Sequence, residues 1–314
     1  MMQQGFNRVR RVVVGGLALL GVALSMSAAQ ARDHLVFVFQ KQADPAKIKA
    51  NADRLGALLS QQLGREVRVL VPNDYSASVQ ALVARQADVA YVSALPFLLA
   101  RRDGGARLLL AEERIDAAGK PRTDYDSILV ARADAPLASM ADVKRQAKSL
   151  RMVFTSPTST SGYVMPYLRF IREGMLKPKQ DPSAAFAQVQ FGGSYTQALQ
   201  QVIAGRGDLA AVSDYTMEGP KADVYLPAAE RAKLKVVART TGVPTHLIAV
   251  RAGLDPQLTR RIEAALLKIG AEQPDLLADV YGASRFVRVN ERRHVQMAVD
   301  AIARTGIPIE GLAR

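Results

Sequence analysis

Cysteine is absent from the 314 residues, and histidine occurs only at His34, His246 and His294. Thiol nucleophiles, disulfide scaffolds, cysteine zinc sites and most histidine metal cages are thereby excluded, so neither a metal nor a cofactor is expected. No Gly-x-Ser-x-Gly elbow occurs and no histidine lies near a candidate serine in the local sequence, which argues against a serine hydrolase. A glycine-rich phosphate loop ending in Lys-Ser or Lys-Thr is lacking too, which argues against nucleotide hydrolysis. What is left is chemistry by hydroxyls, carboxylates, amines and backbone, and a binding protein is expected over an enzyme. Acidic residues are outnumbered, with 29 Asp and Glu against 42 Lys and Arg and a net charge of +13. That balance suits an anionic ligand, nucleic acid or an acidic membrane surface. With 49% hydrophobic residues the chain can bury a core in each of two ordinary domains.

The N-terminal segment narrows these choices. Arg8, Arg10 and Arg11 precede an uncharged run, most apolar from Val12 to Leu24, that ends in Ala29-Gln30-Ala31. This is the order of a secretory signal peptide, with cleavage expected after Ala31. The run is nearly long enough to span a membrane, but Gly15, Gly16, Gly21 and the Ser/Ala-rich end weaken a stable span. Arg10-Arg11 has weak flanks for a twin-arginine signal, and the general export route is expected. Cleavage removes three positive charges, from +13 to about +10. The expected product is a soluble periplasmic chain, and nucleic acid is not an expected partner.

Residues 35–39 read as a buried strand, and a helix follows from near Pro45 with Ile48, Ala52, Leu55 and Leu59 on one stripe. Strand 66–71, helix 76–85 and strand 89–92 continue the alternation, which predicts an α/β fold with a parallel sheet and ligand binding beyond the strand carboxyl ends. Tyr75 to Ser93 aligns without gaps to Tyr195 to Ser213, with seven of nineteen positions identical, among them Tyr75/Tyr195, Asp88/Asp208 and Ser93/Ser213. Strand 35–39 likewise has a counterpart in residues 152–154, followed by a loop and a helix from about Gly162 to Arg172. Two matches in the same order imply duplicated lobes. Residues 127–130 and 246–250 are read as crossing segments. The expected division is 32–131 plus 244–314 for the first lobe and 132–243 for the second. Helices 256–271 and 291–303 are expected to pack back on the first lobe, and two crossings make a hinge around a cleft.

Hydroxyls crowd residues 155–161 between a strand and a helix, and Gly162 follows. One N-cap needs one hydroxyl, so the excess points to an anion site where the free amides of a helix start converge. Tyr75 and Tyr195 stand at equivalent helix starts, Ser93 ends a third strand, and Tyr125 lies just before the crossing strand. Asp214 would accept a proton-bearing oxygen or pair with a ligand amine, against sulfate, which offers acceptors only. His246 is expected to be structural.

Asp74-Tyr75-Ser76-Ala77, Ala87-Asp88-Val89-Ala90-Tyr91, Pro157 to Tyr163 and Gly207-Asp208-Leu209-Ala210-Ala211-Val212 together resemble the phosphonate and phosphite binding proteins of ABC importers, over nearly all of the mature chain. The resemblance implies a type II periplasmic-binding-protein fold and a phosphorus oxyanion ligand, whether phosphite, phosphate or an alkylphosphonate. It implies that Ser159, Thr160 and Ser161 hold the oxyanion with Tyr75, and that an aromatic wall falls at Tyr91 or beside it at Val92. Many relatives carry His where this chain has Tyr195. The implied partner is an ABC permease, or alternatively a membrane sensor kinase, with the binding protein a monomer.

Overall fold

The computed structural model describes residues 33–309, so the expected signal peptide lies outside the described residues. Among the described residues the strands are β1 (Leu35–Phe39), β2 (Val67–Leu70), β3 (Val89–Val92), β4 (Arg107–Ile115), β5 (Pro121–Arg122), β6 (Asp124–Arg132), β7 (Arg151–Phe154), β8 (Gln188–Phe191), β9 (Leu209–Ser213), β10 (Leu234–Pro244), β11 (Leu247–Val250) and β12 (Arg285–Val287). The helices are α1 (Pro45–Leu63), α2 (Tyr75–Val83), α3 (Ala94–Gly104), α4 (Met140–Gln146), α5 (Met165–Arg172), α6 (Tyr195–Ile203), α7 (Ala228–Arg231), α8 (Pro256–Glu272), α9 (Pro274–Tyr281) and α10 (Glu291–Thr305). Among the described residues no helix is long and apolar enough to cross a membrane.

Two sheets form, ordered β12-β4-β11-β3-β1-β2, with β5 on β4, and β10-β6-β9-β7-β8. In each, a parallel trio (β2-β1-β3 or β8-β7-β9) is followed by an antiparallel strand, β11 or β6. The buried strand β1 shows why the run is continuously apolar: Val36 and Val38 enter one core, while Leu35, Phe37 and Phe39 enter the other on the opposite face. The repeat is a structural one. Helices α2 and α6 are each nine residues long, begin with extended caps at Asp74 and Ser194, and end alike at Ala84 and Ala204. The repeated aspartates have a shared structural task. Asp88 accepts from the Val36 amide at 2.9 Å and from Arg251 at 2.7 Å, and Asp208 accepts from the Arg151 amide and guanidinium, both at 2.8 Å. Each thus locks its third strand to the start of its first.

Three sequence expectations are corrected by the pairing. Residues 124–131, allotted to the first lobe, form β6 inside the second sheet, so the chain crosses earlier, around Thr123. The return crossing at Thr245 is hydrogen bonded to it, Thr245 amide to Thr123 carbonyl at 3.1 Å. Helix α8 packs on α1 and β12 of the first lobe, whereas α10 packs chiefly on α5 and β10 of the second and only lightly on α3. Its apolar stripe, with Val295, Ala298 and Ala301 buried, meets the second lobe, while a short link from β12 tethers it to the first. The helix expected from Gly162 starts instead as a π-helical turn, Thr160–Val164, that leads into α5.

Candidate functional site

Strand β7 delivers the hydroxyl loop to the lobe boundary. Thr155 Oγ1 donates to the Ala211 carbonyl at 2.8 Å, which ties the loop to β9, and Ser159 Oγ accepts from the Gly162 amide at 3.0 Å. The Val164 amide reaches back five residues to the Ser159 carbonyl at 3.2 Å, the bond that makes the turn π rather than α. Gly162 is required by space: an added Cβ would overlap Thr155 and stand 2.9 Å from Ser159 Oγ. Gly162→Ala is therefore expected to lower stability by about 2 kcal/mol through overpacking, read as a fall in the urea midpoint.

The loop's three candidate hydroxyls have different tasks. Ser159 is a cap. Thr160 Oγ1 accepts from the Leu95 amide at 2.9 Å, a bond between the start of α3 in the first lobe and the π-turn of the second. Ser161 Oγ is a hub: it lies 2.9 Å from Tyr195 Oη, 2.9 Å from Ser213 Oγ and 3.3 Å from Tyr125 Oη. Ser127 Oγ donates to its carbonyl at 2.7 Å. Tyr75, at the start of α2, puts its phenol beside Tyr195 and Tyr125; burial first and then these neighbours raise its pKa well above the ordinary tyrosine value. Tyr75, Tyr195 and Ser161 are buried, and so is Tyr125. The structure thus brings together Tyr75, Tyr125, Ser161 and Tyr195.

Other expected residues face elsewhere. The Tyr91 phenol donates to Glu112 and its ring packs edge-on to Tyr281 and Phe286, so it belongs to the first-lobe core and is no wall of the hub. Ser93 is one step removed, its amide and Oγ giving to Gln40 Oε1 at 3.1 and 3.3 Å. Asp214 turns its carboxylate to the Tyr215 amide at 2.8 Å and to Arg239 at 3.5 Å, beside a cavity of about 30 Å³ that Tyr125, Tyr215 and Arg114 also line. Burial and the neighbouring Asp126 charge push Asp214 up to about 6.

Two glutamines were not legible as candidates. Gln40 and Gln42 follow β1 at its carboxyl end and are fully buried. Gln42 Oε1 accepts from Tyr215 at 3.4 Å and lies 3.4 Å from Tyr225 Oη, and its carbonyl accepts from the Tyr195 amide at 3.1 Å, joining the lobes. With each Oε1 occupied, Gln40 Nε2 and Gln42 Nε2 are buried without a protein acceptor, as is the Tyr75 hydroxyl. Buried donors left unpaired are costly. The only available signal was position, two polar residues directly after a buried strand.

Behind the hub lies a buried ionic group. Arg114 Nε donates to Glu112 Oε1 at 2.6 Å, and His246 Nδ1 lies 3.3 Å from the same oxygen. Burial would raise Glu112, but Arg114 and His246 overcome it and hold the carboxyl at about 2, while burial lowers His246. The His246 ring stacks on Tyr125, at 5.9 Å between centroids. A groove of about 560 Å³ lies away from the hub between Lys47 and Lys221, where Lys221 already stands 3.9 Å from Asp279.

A family model described as the periplasmic substrate-binding protein of phosphonate ABC transporters matches residues 37–293. The phosphate-import protein PhnD of Mycolicibacterium smegmatis is 26% identical over 219 residues, which are 69% of this chain and 65% of that protein, just under two thirds of its length. A binding protein component of an ABC phosphonate transporter from Pseudomonas aeruginosa superimposes with a TM-score of 0.73 at 21% identity, over 90% of this chain and 94% of that one. PhnD1 from Prochlorococcus marinus, solved in complex with methylphosphonate, gives 0.74 at 18% identity, over 86% and 97%. The two structures establish the type II two-lobed fold, and the family model spans both lobes and both crossings. The chain accordingly belongs to the periplasmic substrate-binding proteins of phosphonate ABC transporters, a family of binding proteins rather than enzymes.

Proposed function

We propose that this protein binds a small phosphorus oxyanion between its lobes, as a monomer, and delivers it to an ABC permease. The observation that carries the reading is that Gln40 Nε2, Gln42 Nε2 and the Tyr75 hydroxyl are among the buried polar atoms without a protein partner, with Gln42 tied through its carbonyl to Tyr195, whose hydroxyl meets Ser161 Oγ. Rotatable hydroxyls at Ser161, Ser213, Tyr125 and Tyr195 can all turn their protons toward an acceptor-rich anion. Hydrogen bonds to a charged group contribute about 1.5–3 kcal/mol each, so five suffice for micromolar affinity, about 8 kcal/mol, after ordering costs. The relatives named for phosphate import and solved with methylphosphonate support the ligand class. Tyr195 takes a direct part through its hydroxyl, and Asp214 tunes selectivity from beside the hub, favouring a protonated oxygen or an ammonium substituent over sulfate.

Calorimetry on the exported chain, unfolded and refolded to strip carried ligand, tests this against phosphite, phosphate, methylphosphonate, 2-aminoethylphosphonate and sulfate. Micromolar or tighter binding of one phosphorus compound is expected. Silence across the panel, or a preference for sulfate, rejects the reading.

A further inference from the structure

Arg114 lies outside the hydroxyl hub yet touches both lobes. It sits on β4 of the first sheet, 5% exposed, with Glu112 on one side. On the other side its Cζ lies 3.6 Å from the centre of the Tyr215 ring, and its Nη2 donates to Tyr225 Oη at 3.2 Å and to the Tyr281 carbonyl. Tyr215 and Tyr225 belong to the strap of residues 214–226 that leaves β9 of the second sheet. The strap is anchored to its own lobe where Thr196 Oγ1 donates to the Tyr225 carbonyl at 2.8 Å. It grips the other lobe through Tyr225 Oη, which donates to the Tyr281 carbonyl at 2.6 Å, and through Gln42, 3.4 Å from both phenols.

We propose that Arg114 and this strap form a clasp that holds the lobes together in a fraction of molecules whether or not ligand is bound, making Arg114 a positioning residue for binding. The planar fork meets one carboxylate, one phenol oxygen, one carbonyl and one aromatic face at once, which a lysine cannot do. When the lobes part, Arg114 and Glu112 stay paired and gain water, so the clasp biases closure without making it irreversible. A ligand that enters the open lobes is then retained for as long as the clasp holds. Gln42 links the two features, because the phenols that flank Arg114 lie against its Oε1 while its carbonyl accepts from the amide of Tyr195, a member of the hub. The effect on ligand retention rests on the oxyanion reading above; the effect on the lobes does not.

The cysteine-free chain allows one spin label per lobe, at the exposed positions Arg54→Cys on α1 and Lys144→Cys on α4. Tyr225→Phe keeps the ring and removes the hydroxyl, Tyr215→Leu removes the aromatic face, and Arg114→Lys keeps a charge against Glu112 but loses the fork. Pulsed dipolar distances on the ligand-free protein are expected to show a short, closed population in the parent that falls at least about threefold in each variant. Methylphosphonate dissociation is expected to quicken about tenfold with association within about a factor of two. A parent without the short population, or folded variants with unchanged distances, overturns the clasp. Should methylphosphonate fail to bind the parent, the distances alone decide, and only the oxyanion reading is lost.

Discussion

Ser161→Ala is expected to weaken oxyanion binding by roughly 10- to 150-fold, the loss of one hydrogen bond to a charged group. Ser161 Oγ is the atom on which Tyr195, Ser213 and Tyr125 converge, so its removal also leaves three buried hydroxyls to find new partners. Ser159→Ala is the informative contrast. Its hydroxyl caps Gly162, and its loss is expected to cost about 1 kcal/mol of stability with affinity changed far less. Calorimetric affinities and urea midpoints on both variants separate the two roles; equal losses of affinity would mean that the loop binds as a unit and that Ser161 is no hub.

Asp214→Asn is expected to stabilise the protein at neutral pH. The carboxyl is held at about 6 in the fold against an ordinary 3.8, chiefly by burial and then by the charge of Asp126. A native pKa above the unfolded one means that the folded state holds the proton longer. Stability is therefore highest below about pH 4, falls as the pH rises from about 4 to 6, and is flat beyond, by about 3 kcal/mol in all. The Asn variant lacks this slope, so urea midpoints of the two proteins should agree near pH 3.5 and diverge by pH 7. In binding, Asp214→Asn is expected to change the ranking of the phosphorus compounds against sulfate more than the affinity for the tightest of them, and a uniform loss across the panel would count against its selectivity role. A parent whose stability rises through this window would show that Arg239, 3.5 Å away, dominates instead.

Much of the architecture was readable because it depends on short-range pattern. The five apolar residues of β1, the stripe of α1 and the gapless repeat each express burial on two faces, on one face, or twice over. The equivalence of Asp88 and Asp208 was visible as identity; its cause, a strand-to-strand lock, needed the partners at Val36 and Arg151. Tyr91 shows the opposite case. Its place at the end of β3 was correct, but β4 supplies Glu112 as an acceptor from 21 residues away, and the phenol turned toward it.

Composition and local order alone determined that this is a cysteine-free, two-lobed α/β chain with a hydroxyl loop between strand and helix, and that it resembles phosphonate-binding proteins. Those features arise from neighbours in sequence, where periodicity and capping act. Which hydroxyl is the hub, which is a cap, and which glutamine amides are left unpaired was decided by the meeting of the lobes. Gln42 lies 173 residues from Tyr215 and Ser161 lies 52 from Ser213. No local pattern encodes such separations, because the direction of a buried polar side chain is set by whichever partner the tertiary fold brings within hydrogen-bonding reach.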